Sequence, residues 1–130
     1  MKKLFDKMYN TATKLLNKNK DLVEKFDHSL VVSVLACKSE KLYIGMNIAW
    51  WHSVCAESTA VSNAYQAGER EFKYLMAVKL KNGTNEFYII PPCGICREMF
   101  SELDMSMLQV ILKQDEKYYT KSINELLPEY

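Results

Sequence analysis

Apolar positions recur along this chain in two rhythms. Leu4, Phe5, Met8, Tyr9, Ala12, Leu15 and Leu16 fall at helical spacing, which predicts an amphipathic helix at the start. The segment SLVVSVLAC is apolar and β-branched, and KLYIGMNIAW follows it after the polar break KSEK. The two predict neighbouring strands, paired antiparallel. A helix is expected from about Cys55 to Ala67, with Gly68 where a helix end takes a left-handed residue. FKYLMAVKL predicts a buried strand, KNGT a turn, and EFYII a strand or an ordered loop. Pro91 and Pro92 stop any pairing and lead into a helix from about Cys93 to Leu103. MLQVILK predicts another strand, and SINELLPEY a short helix that Pro128 ends.

Strands alternating with helices imply βαβ crossovers, hence some parallel pairing with helices over the sheet. The early strand pair makes that sheet mixed. The expected fold class is α/β: a three-layer α/β/α arrangement around a mixed central sheet of about five strands. Repeats and long linkers are absent from the sequence, so residues 1–130 are expected to form a single domain. In such sheets sites form where helices begin, at the carboxyl ends of strands. Cys55 and Cys93 each stand at such a place.

Composition narrows the choice of partners. Hydrophobic residues make up 48% and charged residues 25%, with a net charge of +1, so no overall field argues for a nucleic acid polymer or a membrane surface. The lysines near the start (Lys2, Lys3, Lys7, Lys14, Lys18, Lys20, Lys25) mix with Asp6, Asp21 and Glu24, the mark of a solvated helix face. No run approaches the ~18 apolar residues of a membrane span, and Met1–Lys20 lacks a leader pattern. The expected location is the cytoplasm, where structural disulfides are rare, so the cysteines point first to metal or catalysis.

Cys93 and Cys96 are three residues apart and face one way within a first helical turn. Helix starts favour thiolates, and zinc needs thiolates, so two helix starts aimed at one point make a zinc cradle. Cys55 supplies a third sulfur, and three ligands with an open position are the arrangement of a catalytic zinc, one Zn2+ per chain. Glu57, two residues beyond Cys55, is placed to move protons beside the metal without binding it. Three thiolates leave the site negative, so Arg97, next to Cys96, is expected to support a ligating sulfur. Other readings of the same residues stay open here. CGIC alone has the spacing of a redox pair. A closed structural zinc would need a fourth ligand such as His52. Cys37, in an apolar strand, reads as a small core residue.

At these residues the chain resembles the cytidine deaminase superfamily, in its small nucleoside and blasticidin S deaminase branches. CAE (Cys55–Glu57) is similar to the first zinc motif, PCGICRE (Pro92–Glu98) to the second, and INELLP (Ile123–Pro128) to the closing segment. GMNIAW is similar, more loosely, to the strand end that carries an asparagine, here Asn47, to the sugar. The resemblance covers most of residues 27–130. It implies a cytidine deaminase-like fold and hydrolytic deamination of a cytosine-type nucleoside or analogue, with release of ammonia. Glu57 would shuttle the proton, and the backbone N–H of Ala56 would contact the ring carbonyl. It also implies a homo-oligomer, a tetramer in preference to a dimer; the lack of a clear basic groove points to a free small-molecule substrate rather than a polynucleotide. The alternatives are a deaminase of another amino-heterocycle and a catalytically silent zinc-binding module.

The chain departs from the pattern in three respects. Nucleoside deaminases read N-x-E where this chain has Asn47, Ile48 and Ala49, so the ribose-gripping carboxylate is missing. The blasticidin branch lacks it too. The segment from Asn47 to Cys55 is short, and an aromatic of the first strand is replaced within SLVVS. Trp50, Trp51 and His52 are candidate pocket residues in their place, and Tyr130 is a candidate to reach a neighbouring site.

Overall fold

The computed structural model describes residues 1–50 and 53–126. The opening stripe folds as helix α1 (Lys2–Lys18), which buries Phe5, Met8, Ala12 and Leu16 and leaves most of its lysines in water. The chain then breaks at Asn19, whose side chain donates to Leu15 O at 2.9 Å, and resumes as the short helix α2 (Lys20–Phe26). Asp27, at φ 51°, ends it.

Strands β1 (Leu30–Cys37) and β2 (Leu42–Met46) pair antiparallel, as their patterns predict. Helix α3 (Ala56–Gln66) crosses to β3 (Phe72–Leu80), antiparallel to β1. Gly68 has φ +92°, the left-handed geometry expected after α3. β3 turns back into β4 (Phe87–Ile90), which occupies the later half of its free edge. Helix α4 (Gly94–Glu102) then returns the chain to β5 (Gln109–Gln114), parallel to the earlier half of β3. β6 (Lys117–Ser122) and the one-turn helix α5 (Ile123–Leu126) follow. The strand order is β2-β1-β3-β5-β6, with β4 also on β3.

The sheet has six strands where the pattern predicts about five. The additional strand is β6, which reads KYYTKS, an exposed edge with little apolar signal. Its hairpin turn, Asp115 at φ 50° and Glu116 at φ 66°, takes left-handed geometry without glycine, so the usual turn signature is missing. The second strand is also shorter than its apolar run. It leaves the sheet at Met46, and Ile48 instead makes an isolated bridge to Val54.

β1 is buried on both faces, and its alternation divides the core in two. Val32, Val34 and Ala36 meet α1 together with Met76, Val78 and Ile111. Leu35 and Cys37 face α3 and α4 together with Ala60, Ala64, Leu75, Phe100 and Ile123. Cys37 is thus a core residue, its thiol pushed up to about 11 by burial and by Glu69. Among the described residues no helix is long and apolar enough to cross a membrane.

Candidate active site

α3 and α4 each begin just after a cysteine. Cys55 and Cys93 precede the first turns in extended backbone, at ψ 146° and 167°. That conformation lets a side chain fold over the free N–H groups of the turn. Cys93 does so, its sulfur accepting the Cys96 N–H at 3.5 Å. Cys96 lies one turn on, on the same side of α4. The three Sγ atoms lie within 4.8 Å of one another. Cys55 Sγ and Cys93 Sγ are 3.8 Å apart. A tetrahedral zinc with Zn–S bonds of about 2.3 Å sets sulfurs about 3.8 Å apart, so this donor set fits the ion.

The convergence depends on how closely α3 approaches the sheet. Gly45 of β2 lies under its first turns. A Cβ at that position would stand 2.3 Å from Ala60 N and 2.4 Å from Ala56 O, far inside contact distance. The Gly45 backbone therefore replaces a side chain, and Cys55 and Glu57 descend with the helix.

Glu57 projects from the first turn of α3 and is only 5% exposed. Its Oε2 accepts the Cys96 thiol at 3.4 Å. Burial, then the Glu57 carboxylate, then the Cys55 and Cys93 sulfurs push the Cys96 thiol far above the ordinary range. Burial also raises Cys55; the bond from Cys96 opposes this, and Cys93 and Glu57 add to it. These surroundings disfavour the thiolate at Cys55 and Cys96, and a divalent cation among the sulfurs would reverse that balance.

Beside the cluster lies a cavity of about 250 Å³ with mostly apolar walls, among them Val31, Ala49, Val54, Ile90 and Pro91. Asn47, Ala56, Glu57, Cys55 and Cys93 also line it. A larger hollow of about 770 Å³ between Tyr65, Arg70, Phe72 and Met107 contains none of the cysteines. The smaller cavity, not the larger, holds the chemistry.

The remaining candidates fall in different places. Arg97 donates from Nε to Pro92 O and from a terminal nitrogen to Leu126 O, both at 2.8 Å. It braces the backbone before Cys93 and ties α4 to the tail; its bonds go to carbonyls rather than to the expected sulfur. The tail itself is held by a reciprocal cap, with Ser122 N donating to Glu125 Oε1 and Glu125 N to Ser122 Oγ. Asn47 lines the cavity, yet its amide is engaged with backbone at both ends: Oδ1 accepts Val31 N and Nδ2 donates to Ser29 O, each at 2.8 Å. Ala56 is buried at the start of α3. Trp50 is 55% exposed and does not line the cavity. Trp51, His52 and Tyr130 lie outside the described residues. Two residues that spacing does not reveal also shape the site. Gly45 is one, and the other is His28, whose Nε2 accepts the Ala49 N–H at 2.9 Å.

A mixed α/β sheet whose two helix starts bring three sulfurs and a carboxylate together offers a donor set that could hold a metal ion. No protein-family model matches the chain. Blasticidin-S deaminase of Bacillus cereus is 29% identical over 79 residues, a match that spans 58% of this chain and 56% of that protein, a little over half its length. A probable cytidine deaminase of Dictyostelium discoideum is 30% identical over 108 residues, spanning 79% of this chain and 69% of that protein. The crystal structure of cytidine deaminase from Burkholderia pseudomallei superposes with a TM-score of 0.63 at 29% identity, covering 89% of this chain and 95% of that one. That from Bacillus anthracis reaches a TM-score of 0.70 at 15% identity, covering 96% and 87%, and speaks for the fold alone. The chain belongs to the cytidine deaminase superfamily.

Proposed function

We propose that this chain is a zinc-dependent aminohydrolase that removes the exocyclic amine from a cytosine-type nucleoside or analogue and releases ammonia. The observation that carries the reading is the sulfur cluster, whose Cys55–Cys93 separation of 3.8 Å matches the edge of a zinc–thiolate tetrahedron. Cys55, Cys93 and Cys96 hold the ion. When bound, zinc supplies the Lewis acidity that makes water a nucleophile at neutral pH. Cys96 must lose its thiol proton to bind, which removes the donor that now occupies Glu57 Oε2. Glu57 is then free to take a proton from the attacking water and give it to the departing amine. Its burial suits both roles, since bulk water neither solvates nor buffers it.

Substrate contacts follow from the cavity walls. The N–H of Ala56, at a helix start, serves the ring carbonyl. Asn47 keeps capacity for one further donor and one further acceptor contact, and meets the substituent on the ring. Ala49 lines the cavity without a carboxylate, so sugar hydroxyls add little, and non-ribose analogues of the blasticidin S kind fit the reading. Similarity to blasticidin-S deaminase supports that choice. We also propose that residues 1–130 act as one domain, in a cytoplasmic homo-oligomer, a tetramer in preference to a dimer.

The test is Glu57→Gln. The variant keeps one zinc per chain and loses at least about 100-fold in turnover, the scale of a general acid–base group. Ammonia release is measured over cytidine, deoxycytidine, blasticidin S and other amino-heterocycles. Protein without stoichiometric zinc, or zinc-loaded protein inert towards the whole panel, would refute the proposal.

A further inference from the structure

The chain entering β1 and the chain leaving β2 lie side by side beneath one wall of the cavity. Four hydrogen bonds join them. Val31 N donates to Asn47 Oδ1 at 2.8 Å, Asn47 Nδ2 to Ser29 O at 2.8 Å, and Asn47 N to Val31 O at 3.2 Å. The fourth runs from Ala49 N to His28 Nε2 at 2.9 Å. It is the one in which a titratable side chain takes part. From here the backbone continues to the Ile48–Val54 pair, bonded both ways at 3.0 Å, and then to Cys55. His28 therefore stands at the outer end of a staple whose inner end is a sulfur of the cluster.

The bond fixes the tautomer of the ring. A nitrogen that accepts carries no hydrogen, so the His28 hydrogen is on Nδ1. That Nδ1 is buried and has no partner among the described residues. Leaving an N–H unpaired in this way costs stability. A leucine or phenylalanine would fill the space without that cost, but could not hold the Ala49 amide. Ala49 and Val31, the residues that this staple aligns, both line the cavity.

We propose that His28 is a positioning residue. As the Nδ1–H tautomer it holds the Ala49 amide and with it the cavity wall, and so sets substrate affinity rather than the rate of the chemical step. The effect on affinity rests on the deaminase reading; the tautomer and its hold on Ala49 do not.

Three measurements test it on the zinc-loaded full chain. Nitrogen-15 NMR of the wild type is expected to show a protonated Nδ1 and an accepting Nε2 on His28, with the Ala49 amide protected from hydrogen exchange. His28→Ala is expected to lose that protection and to raise KM about tenfold, with zinc per chain unchanged and kcat lowered less than about twofold. His28→Gln, which offers a carbonyl oxygen to the same N–H, is expected to recover part of the KM. A hydrogen on Nε2, or an Ala49 amide that exchanges freely in the wild type, overturns the proposal even if His28→Ala fails to fold. An unchanged KM in folded His28→Ala, or a loss confined to kcat, also overturns it. Inert wild-type protein refutes the deaminase reading instead, and the NMR measurements still decide the hold on Ala49.

Discussion

The two faces of the sheet solve different problems. On the α1 face, ordinary apolar volume closes the core: Phe5, Met8, Ala12 and Leu16 sit on Val32, Val34, Met76 and Ile111. A polar clip, Tyr118 OH to Asp6 Oδ1 at 3.1 Å, ties the helix to β6. On the opposite face α3 presents Ala56, Ala60 and Ala64 to the sheet, and Gly45 removes the last side chain from its path. The first face depends on how much is buried. The second depends on how close two backbones come, because the distance sets where Cys55 lies relative to Cys93 and Cys96.

Breaking each face should therefore give different results at similar cost. Gly45→Ala is expected to lower stability by about 3 kcal/mol, because the intruding methyl meets backbone that cannot rotate away. It should also weaken zinc binding about tenfold or more, since the displaced helix carries a ligand. Leu16→Ala, on the α1 face, is expected to lower stability by about 3 kcal/mol through the cavity it leaves. Its zinc stoichiometry and affinity should stay at the wild-type values. Urea unfolding with zinc titration of both variants makes the comparison. Equal zinc affinities would erase the proposed difference between the faces.

The smallest effect is expected at the clip. Tyr118→Phe should cost about 1 kcal/mol, the size of one hydrogen bond. Burial and then the bond to Asp6 raise the Tyr118 hydroxyl from 10.0 to about 12. A raised value favours the protonated form in the fold, so its contribution is complete below pH 10 and fades as pH rises towards 12. Melting temperatures of wild type and Tyr118→Phe should therefore converge across that alkaline range.

Much of this organisation was legible in the sequence, for reasons of scale. The stripe of α1, the apolar runs of β1 and β3, and the cysteines at two helix starts are local patterns, and local patterns survive in a linear reading. The residues that escape it act through the tertiary fold. No spacing joins His28 to Ala49, because the contact exists only once β1 and β2 are paired. Gly45 reads as an ordinary weak point in a strand until α3 lies on it. β6 has an exposed polar edge, so it lacks the hydrophobic contrast that identifies a strand. Arg97 adjoins Cys96 in the chain, but the acceptors its guanidinium meets are carbonyls supplied by Pro92 and Leu126, which no spacing reveals.

Cys55 and Cys93 lie 38 positions apart in the chain, and the whole of α3, β3 and β4 falls between them. An ion shared by both therefore clasps two stretches that an unfolded chain leaves independent. With zinc as the proposed ion, heat resistance would follow metal supply, each tenfold rise in free zinc above saturation adding about 1.4 kcal/mol to the folded state. If the proposed zinc site is real, a cell short of zinc would lose the protein to proteolysis as well as losing its turnover.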